Sequence, residues 1–505
     1  MGSRWWGRVE RAGRGYALAS TRTVAVTAGG LGLVLAGTCI AVAGPWQGGD
    51  RTAERRLQQA GADARRSAAA RASAEAEARA RPKVMADPPP TWRPAQDVLL
   101  PASGTVDAAA PLPSSTALAS ALAGDIGAPS LGTVTASVVD VATGRSLYSL
   151  RAGTAQPPAS TNKLATATAA LALLGPDHRF TTRVVSAAPG RIVLVGSGDP
   201  TLTAWASGGS DPRASLVTLA DRTAAALKAA GTGSVSLGYD ISLFTGSPID
   251  PRGNNDNLAP VQALTSDEGR IDPTSTEDAP RYADPAATAA GQFATLLRAR
   301  GITVVQGVSL TTAPAAATPI AQVSSQPLAE IVERMLTDSD NDVAETLGHQ
   351  VAVAAHEPAT FAGGAAAVRS TLTGLGVRLG ATRLDDASGL DPEDAIPADV
   401  LTRLLALAAS PAHPELRAIP AGLPVAGFTG TLDPGSEGFD STSGLGVVRA
   451  KTGSLTSVNT LAGLVVDRDG RLLAFAFMSD GGGSAVSARA ALDSLAGRVA
   501  ACGCR

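Results

Sequence analysis

The chain is poor in lysine. Of 42 Lys plus Arg in 505 residues, only Lys83, Lys163, Lys228 and Lys451 are lysines, leaving 42 − 4 = 38 arginines. Wherever a bare positive charge suffices, this sequence uses guanidinium, which stays protonated in proteins. Burial can lower a lysine amine until it acts as a base, so each lysine is a candidate for chemistry that arginine cannot do. Three cysteines, Cys39, Cys502 and Cys504, are too few for a disulfide scaffold. The last two could pair in an oxidising compartment, but one intervening residue makes a strained ring. Four scattered histidines with no H-E-x-x-H and no C-x-x-C give no metal site, and no motif asks for a cofactor. Aromatics at 3% and a net charge of −3 argue against nucleic acid as a partner, which needs stacking platforms and a basic surface. No G-x-S-x-G elbow pairs a serine with a histidine. The acid pairs Asp267-Glu268 and Asp385-Asp386 read as solvated loop carboxylates.

Charge is also missing from 23–44, a run of mostly Val, Leu, Ala and Gly. About 20 apolar residues span a bilayer. Arg4, Arg8, Arg11, Arg14 and Arg22 precede the run against one acid, Glu10, which predicts a cytoplasmic N-terminus at 1–22 and an external remainder. Ala41-Val42-Ala43 before Gly44 also fits a cleavage site, so the segment is either a membrane signal-anchor or a removed signal peptide. In either case the bulk of the chain is exported. Residues 45–113 are Ala, Arg, Glu and Pro with few large apolar side chains, and read as a stalk, partly helical or disordered.

A globular pattern begins at about 114. The β-branched run 133–142, a Thr143-Gly144 turn and 146–150 predict a hairpin. The apolar stretch 164–174 predicts a buried helix stopped by Gly175-Pro176. Runs at 460–466 and 471–478 around Asp469-Gly470 predict a second hairpin.

Two of the four lysines sit beside these elements in short motifs. Ser160-Thr161-Asn162-Lys163 reads S-x-x-K, Ser339-Asp340-Asn341 reads S-x-N, and Lys451-Thr452-Gly453 reads K-T-G. Positions three apart on a helix share a face, so a neutral Lys163 could take the Ser160 proton. Singly, each motif is also an ordinary cap or turn, since Ser, Asp and Asn are common cap residues. All three together, in order and on suitable elements, are far harder to obtain by chance.

In these motifs the chain resembles the penicillin-binding serine enzymes, and more specifically the class C low-molecular-mass D-alanyl-D-alanine carboxypeptidases and endopeptidases. The segments 194–202, Ser242-Leu243-Phe244, Ala259-Pro260-Val261, Asp386-Ala387-Ser388-Gly389-Leu390 and Leu423-Pro424-Val425-Ala426-Gly427 are similar to that family as well. The resemblance implies an α+β, transpeptidase/β-lactamase-like domain: a five-stranded antiparallel sheet flanked by helices, formed by 114–184 and 326–505. It implies an inserted β-rich domain at 185–325, a gap short for the two subdomains known in the family. It implies Ser160 as nucleophile, Lys163 as base, Ser339 as proton relay and Asn341 as a holder of the substrate amide. Lys451 would supply positive potential. Thr452 and Gly453 would bind substrate, and the N–H groups of Ser160 and Ser454 would form an oxyanion hole. The implied substrates are peptidoglycan stem peptides, with β-lactams as inhibitors. Two other readings stay open: a β-lactamase or esterase on the same fold, and a catalytically silent wall-binding protein.

Overall fold

The structure is a computed structural model and describes residues 110–206, 213–253, 256–275 and 279–503. The expected basic tail, membrane segment and all but the end of the stalk lie outside the described residues. Among the described residues, no helix is long and apolar enough to cross a membrane.

The chain enters through α1 (Ser115–Ile126), β1 (Thr133–Asp140) and β2 (Ser146–Leu150), the predicted first hairpin. Strand β3 (Ala155–Gln156) and a single 3-10 turn lead into α2 (Lys163–Leu174), which ends at Gly175 with φ +83°. An insertion follows: β4 (Thr181–Ala188), β5 (Arg191–Val195), α3 (Leu216–Ala229), β6 (Ser234–Asp240), α4 (Pro285–Ala299), β7 (Thr303–Leu310) and β8 (Thr318–Ser324). The chain returns as α5 (Leu328–Asp338), α6 (Asn341–Ala354), α7 (Phe361–Gly374), β9 (Ile396–Pro397), α8 (Ala398–Ala408) and α9 (Ala418–Gly422). It closes with β10 (Arg449–Leu455), β11 (Val458–Val466), β12 (Leu472–Asp480) and α10 (Ala485–Ala500).

Chain ends far apart in sequence share one sheet. Its order is β10-β11-β12-β1-β2, with every neighbour antiparallel. Alternate residues of a strand face opposite sides, and β11 and β12 bury both. Ala462, Leu464, Ala474, Ala476 and Met478 face a helical layer that includes α2, α5, α6, α7 and α8. Leu461, Val465, Leu473, Phe475 and Phe477 face α1 and α10. Each large side chain so buried contributes roughly 1.5–3 kcal/mol.

The insertion is a second five-stranded sheet, ordered β7-β6-β5-β4-β8, over its own core. Its strands begin at Thr181 rather than 185 and carry two helices, so it is α/β in character rather than simply β-rich. Strands β5, β6 and β7 run parallel, which demands the crossovers that α3 and α4 supply. Both helices bury a stripe at helical spacing, Leu216, Leu219, Ala220, Thr223, Ala224 and Leu227 in α3 and Ala286, Ala289, Ala290, Phe293, Ala294 and Leu297 in α4. Cys502 is buried and disulfide-bonded; the other two cysteines lie outside the described residues.

Candidate active site

The site grows from one distorted turn. Ala159 has φ +47°, a left-handed conformation uncommon for a residue with a Cβ, and the following 3-10 turn delivers Ser160 to the edge of a cleft of about 890 Å³. Hydrogen bonds from Thr161 Oγ1 (2.6 Å) and Thr460 Oγ1 (2.8 Å) to the Pro158 carbonyl tie that turn to β11. Two glycines allow the neighbours to close on it. A Cβ at Gly389 would lie 1.9 Å from the Ala159 carbonyl oxygen, and one at Gly453 would lie 2.8 Å from the Pro158 oxygen and 3.0 Å from Ser160 N. The glycine of K-T-G therefore clears the protein's own backbone.

Lys163 opens α2 and is fully buried. Its Nζ lies 2.9 Å from Ser160 Oγ, 2.6 Å from Asn341 Oδ1 and 2.9 Å from the Ser388 carbonyl oxygen. Burial lowers its pKa to about 8, against the opposing pull of Asp386, Glu345, Asp340 and Asp342. A neutral amine has two N–H donors and one lone pair. The Asn341 and Ser388 oxygens can only accept, so the lone pair is left for the Ser160 hydroxyl.

S-x-N occupies a joint between two helices. Ser339 caps α5 with φ +60°, Asp340 caps α6 by accepting from Val343 N at 3.0 Å, and Asn341 is the first residue of α6. Capping and site geometry are here one feature. Across the cleft, fully buried Lys451 donates to Ser339 Oγ at 2.9 Å and to the Thr452 carbonyl at 2.9 Å. Burial first, and the nearby Lys163 second, hold its pKa well below the ordinary lysine value. Thr452 Oγ1 donates to Thr431 Oγ1 at 2.8 Å.

K-T-G lies on β10, the edge strand. On its outer side Ala450 N donates to the Pro424 carbonyl. Alternate N–H groups of a strand share a side, so those of Thr452 and Ser454 point outward too, toward the cleft they line. The structure thus brings Ser160, Lys163, Ser339, Asn341, Lys451, Thr452, Gly453 and Ser454 into one place from three remote stretches of chain.

Several supporting residues escaped the sequence reading. Asp386, read as solvated, is buried: its carboxylate accepts from Gly389 N (2.6 Å) and Asp391 N (2.7 Å) and shapes the loop that presents the Ser388 carbonyl. Asn162 Nδ2 bridges Asp386 and Asp394. Burial, then the Asp386 charge, pushes Asp394 up to about 10, so it carries a proton at neutral pH. Glu345 on α6 accepts from the N–H groups of Ala387 and Ser388. Glu268 is likewise buried, facing Arg270 and Arg334. With Asp340 and Asp342 it forms a group of three carboxylates with oxygens within 4.8 Å of one another. Arg270 and Arg334 also approach Asp340, and Arg270 and Arg281 approach Asp342, so the group is an ion-pair network in which guanidinium holds the place a cation would take.

A buried lysine beside a serine, on a helix packed against a five-stranded antiparallel sheet, defines a serine acyl-transfer site of the penicillin-recognising kind. The fold is that of penicillin binding protein 4 (dacB) from Haemophilus influenzae, with a TM-score of 0.61 and 23% identity, covering 76% of this chain and 98% of that one. The model of the D-Ala-D-Ala carboxypeptidase 3 (S13) family matches residues 118–281 and 278–501, and the chain belongs to that family. It is 36% identical to carboxypeptidase Rv3627c of Mycobacterium tuberculosis over 403 residues, 78% of this chain and 85% of the relative. It is also 36% identical to carboxypeptidase DacB of Mycolicibacterium smegmatis over 416 residues, 79% and 87% of the two chains.

Proposed function

We propose that the chain is a penicillin-binding serine D-Ala-D-Ala carboxypeptidase acting on peptidoglycan stem peptides through an acyl-enzyme on Ser160. The observation that carries this reading is the Lys163 Nζ to Ser160 Oγ contact of 2.9 Å, with the amine's other two partners unable to donate. Ser160 Oγ attacks the carbonyl of the penultimate D-alanine, and its proton passes to Lys163. The tetrahedral oxyanion is held by the N–H groups of Ser160 and Ser454, a type of donor worth about 3–4 kcal/mol each. The C–N bond then breaks as that proton passes from Lys163 through Ser339 to the leaving amine, and D-alanine departs with Lys163 neutral again. Lys163 next takes a proton from water, whose oxygen attacks the ester, and that proton returns to Ser160 as the shortened peptide leaves.

Burial first, and the nearby Lys163 second, hold the Lys451 pKa well below the ordinary lysine value. A terminal carboxylate arriving beside Thr452 favours the ammonium. An extended peptide could add to the outer edge of β10, beside the N–H groups of Thr452 and Ser454. A β-lactam presents the same acyl and carboxylate groups and would remain as an ester on Ser160. Cross-links also present a D-Ala amide, so endopeptidase activity fits the same chemistry. The apolar run 23–44 behind five arginines supports an external, membrane-held enzyme.

The test is D-alanine release from a peptide ending in D-Ala-D-Ala. The wild type should release it, Ser160→Ala should reduce release to background, and a peptide ending in L-Ala-L-Ala should be spared. Unchanged release by Ser160→Ala would overturn the assignment. Rapid repeated hydrolysis of penicillin without peptide cleavage would identify a β-lactamase instead.

A further inference from the structure

The basicity of Lys163 and the direction of its lone pair depend on where the Ser388 carbonyl points. Of the two oxygens that only accept, Asn341 Oδ1 is turned inward because Nδ2 of the same amide donates to the Asn257 carbonyl at 3.3 Å. The Ser388 carbonyl is oriented from the other side of its peptide. Glu345 Oε1 accepts from Ser388 N at 2.7 Å and Ala387 N at 3.0 Å, with Oε2 at 3.3 Å from the latter. Glu345 is 1% exposed and belongs to α6, the helix whose first residue is Asn341. A single rigid element thus sets both non-reacting acceptors of the amine.

We propose that Glu345 is a positioning residue for acylation, fixing the Ser388 carbonyl so that the Lys163 lone pair faces Ser160. The proposal rests on the reading of Ser160 and Lys163 as nucleophile and base. Glu345 acts on both through the 387–388 peptide, whose N–H groups donate to its oxygens. The charged groups around Lys163 are Asp386, Glu345, Asp340 and Asp342, with Lys451 opposite. Around Glu345 stand Asp386 and Asp394, and the His349 ring, which burial lowers to about 4 and so keeps neutral, meets its backbone carbonyl. Burial first, and the Asp386 charge second, raise Glu345 to about 8, so in the acid limb it is a neutral carboxyl that holds the 387–388 peptide by its oxygens rather than by charge. Glu345→Leu removes those acceptors, leaves the Ala387 and Ser388 N–H groups without them and frees the Ser388 carbonyl to turn, whereas Glu345→Gln keeps Oε1 as acceptor.

The experiment is the rate of Ser160 acylation by a fluorescent penicillin as a function of pH, on the purified full chain, with Tm measured alongside. The wild-type acid limb should bend near 8. In Glu345→Leu the plateau should fall about tenfold. Glu345→Gln keeps Oε1 as acceptor and should retain most of the plateau, while Glu345→Asp withdraws its oxygens by one methylene and should lose plateau; it also serves if the leucine variant does not fold. A wild-type plateau in Glu345→Leu or Glu345→Asp would overturn the proposal. So would a Glu345→Gln plateau as low as that of Glu345→Leu, whatever the change in Tm. Absence of any label on wild-type Ser160 would instead strike at the proposed function, and this inference would fall with it.

Discussion

In the proposed mechanism Lys163 carries the acid–base chemistry: full burial makes its ammonium costly, the Asn341 and Ser388 oxygens hold the amine, and its lone pair faces the Ser160 hydroxyl. Its pKa of about 8 fixes the sign of the pH response. Below that value the neutral fraction falls about tenfold per pH unit, so acylation should rise with pH and level off above about 8. A stopped-flow or quenched labelling series measures this directly. Gly453→Ala would force a Cβ against the Thr460 hydroxyl, the Pro158 carbonyl and Ser160 N. Overpacking of this kind costs about 1–3 kcal/mol, and labelling should slow about 100-fold because the nucleophile turn shifts; Tm and labelling rate check the two effects. The motif residues were legible in sequence because rare lysines stood in recognisable spacings. Glu345, Asp386, Asp394 and Asn162 were not, because an isolated acid on a helix or loop looks the same whether it is solvated or holds a peptide far away in sequence.

Between elements, the joint of α5 and α6 links the insertion to the site. Asp342, next to Asn341, accepts from Ala259 N at 2.7 Å and from Arg281 at 2.8 Å, both in the inserted region. Burial first, and the Asp340 charge second, raise its pKa to about 6, with Arg281 pulling the other way. Arg281→Met should raise it further and destabilise the fold by up to about 3–5 kcal/mol at a pH where Asp342 is ionised. A carboxyl whose folded pKa is raised loses stability as pH climbs from the unfolded value through the folded one. The Arg281→Met deficit should therefore be small near pH 4 and large above about 6; denaturant titrations at the two pH values measure the difference. Both predicted hairpins and the helix after Ser160 were readable, since β-branched runs, turn residues and the Gly175-Pro176 stop are local signals. The ion-pair joint was not, because Asp267-Glu268 and Ser339-Asp340-Asn341 become neighbours only once the insertion folds back on α5 and α6.

Across the molecule, one sheet assembled from both ends of the catalytic region places K-T-G beside S-x-x-K, and two separately cored faces hold it there. The α+β class and the split of the catalytic region were expected from the family resemblance that the three motifs carry. The mixed sheet of the insertion was not, because which strands pair in parallel depends on where the crossover helices return the chain, a long-range choice that no local pattern sets. The apolar run at 23–44 makes a cellular prediction: full-length protein should sediment with membranes, and removal of 1–44 should release it, as read by fractionation and immunoblot.

The central claim is that Ser160, served by a neutral Lys163, is the group that attacks. Peptide mapping by mass spectrometry after exposure of the intact protein to benzylpenicillin tests it most directly. The account predicts a single adduct of one opened drug molecule, on Ser160 alone, lost in Lys163→Ala as well as in Ser160→Ala. An adduct on another residue, or one that forms at the wild-type rate without Lys163, would contradict it.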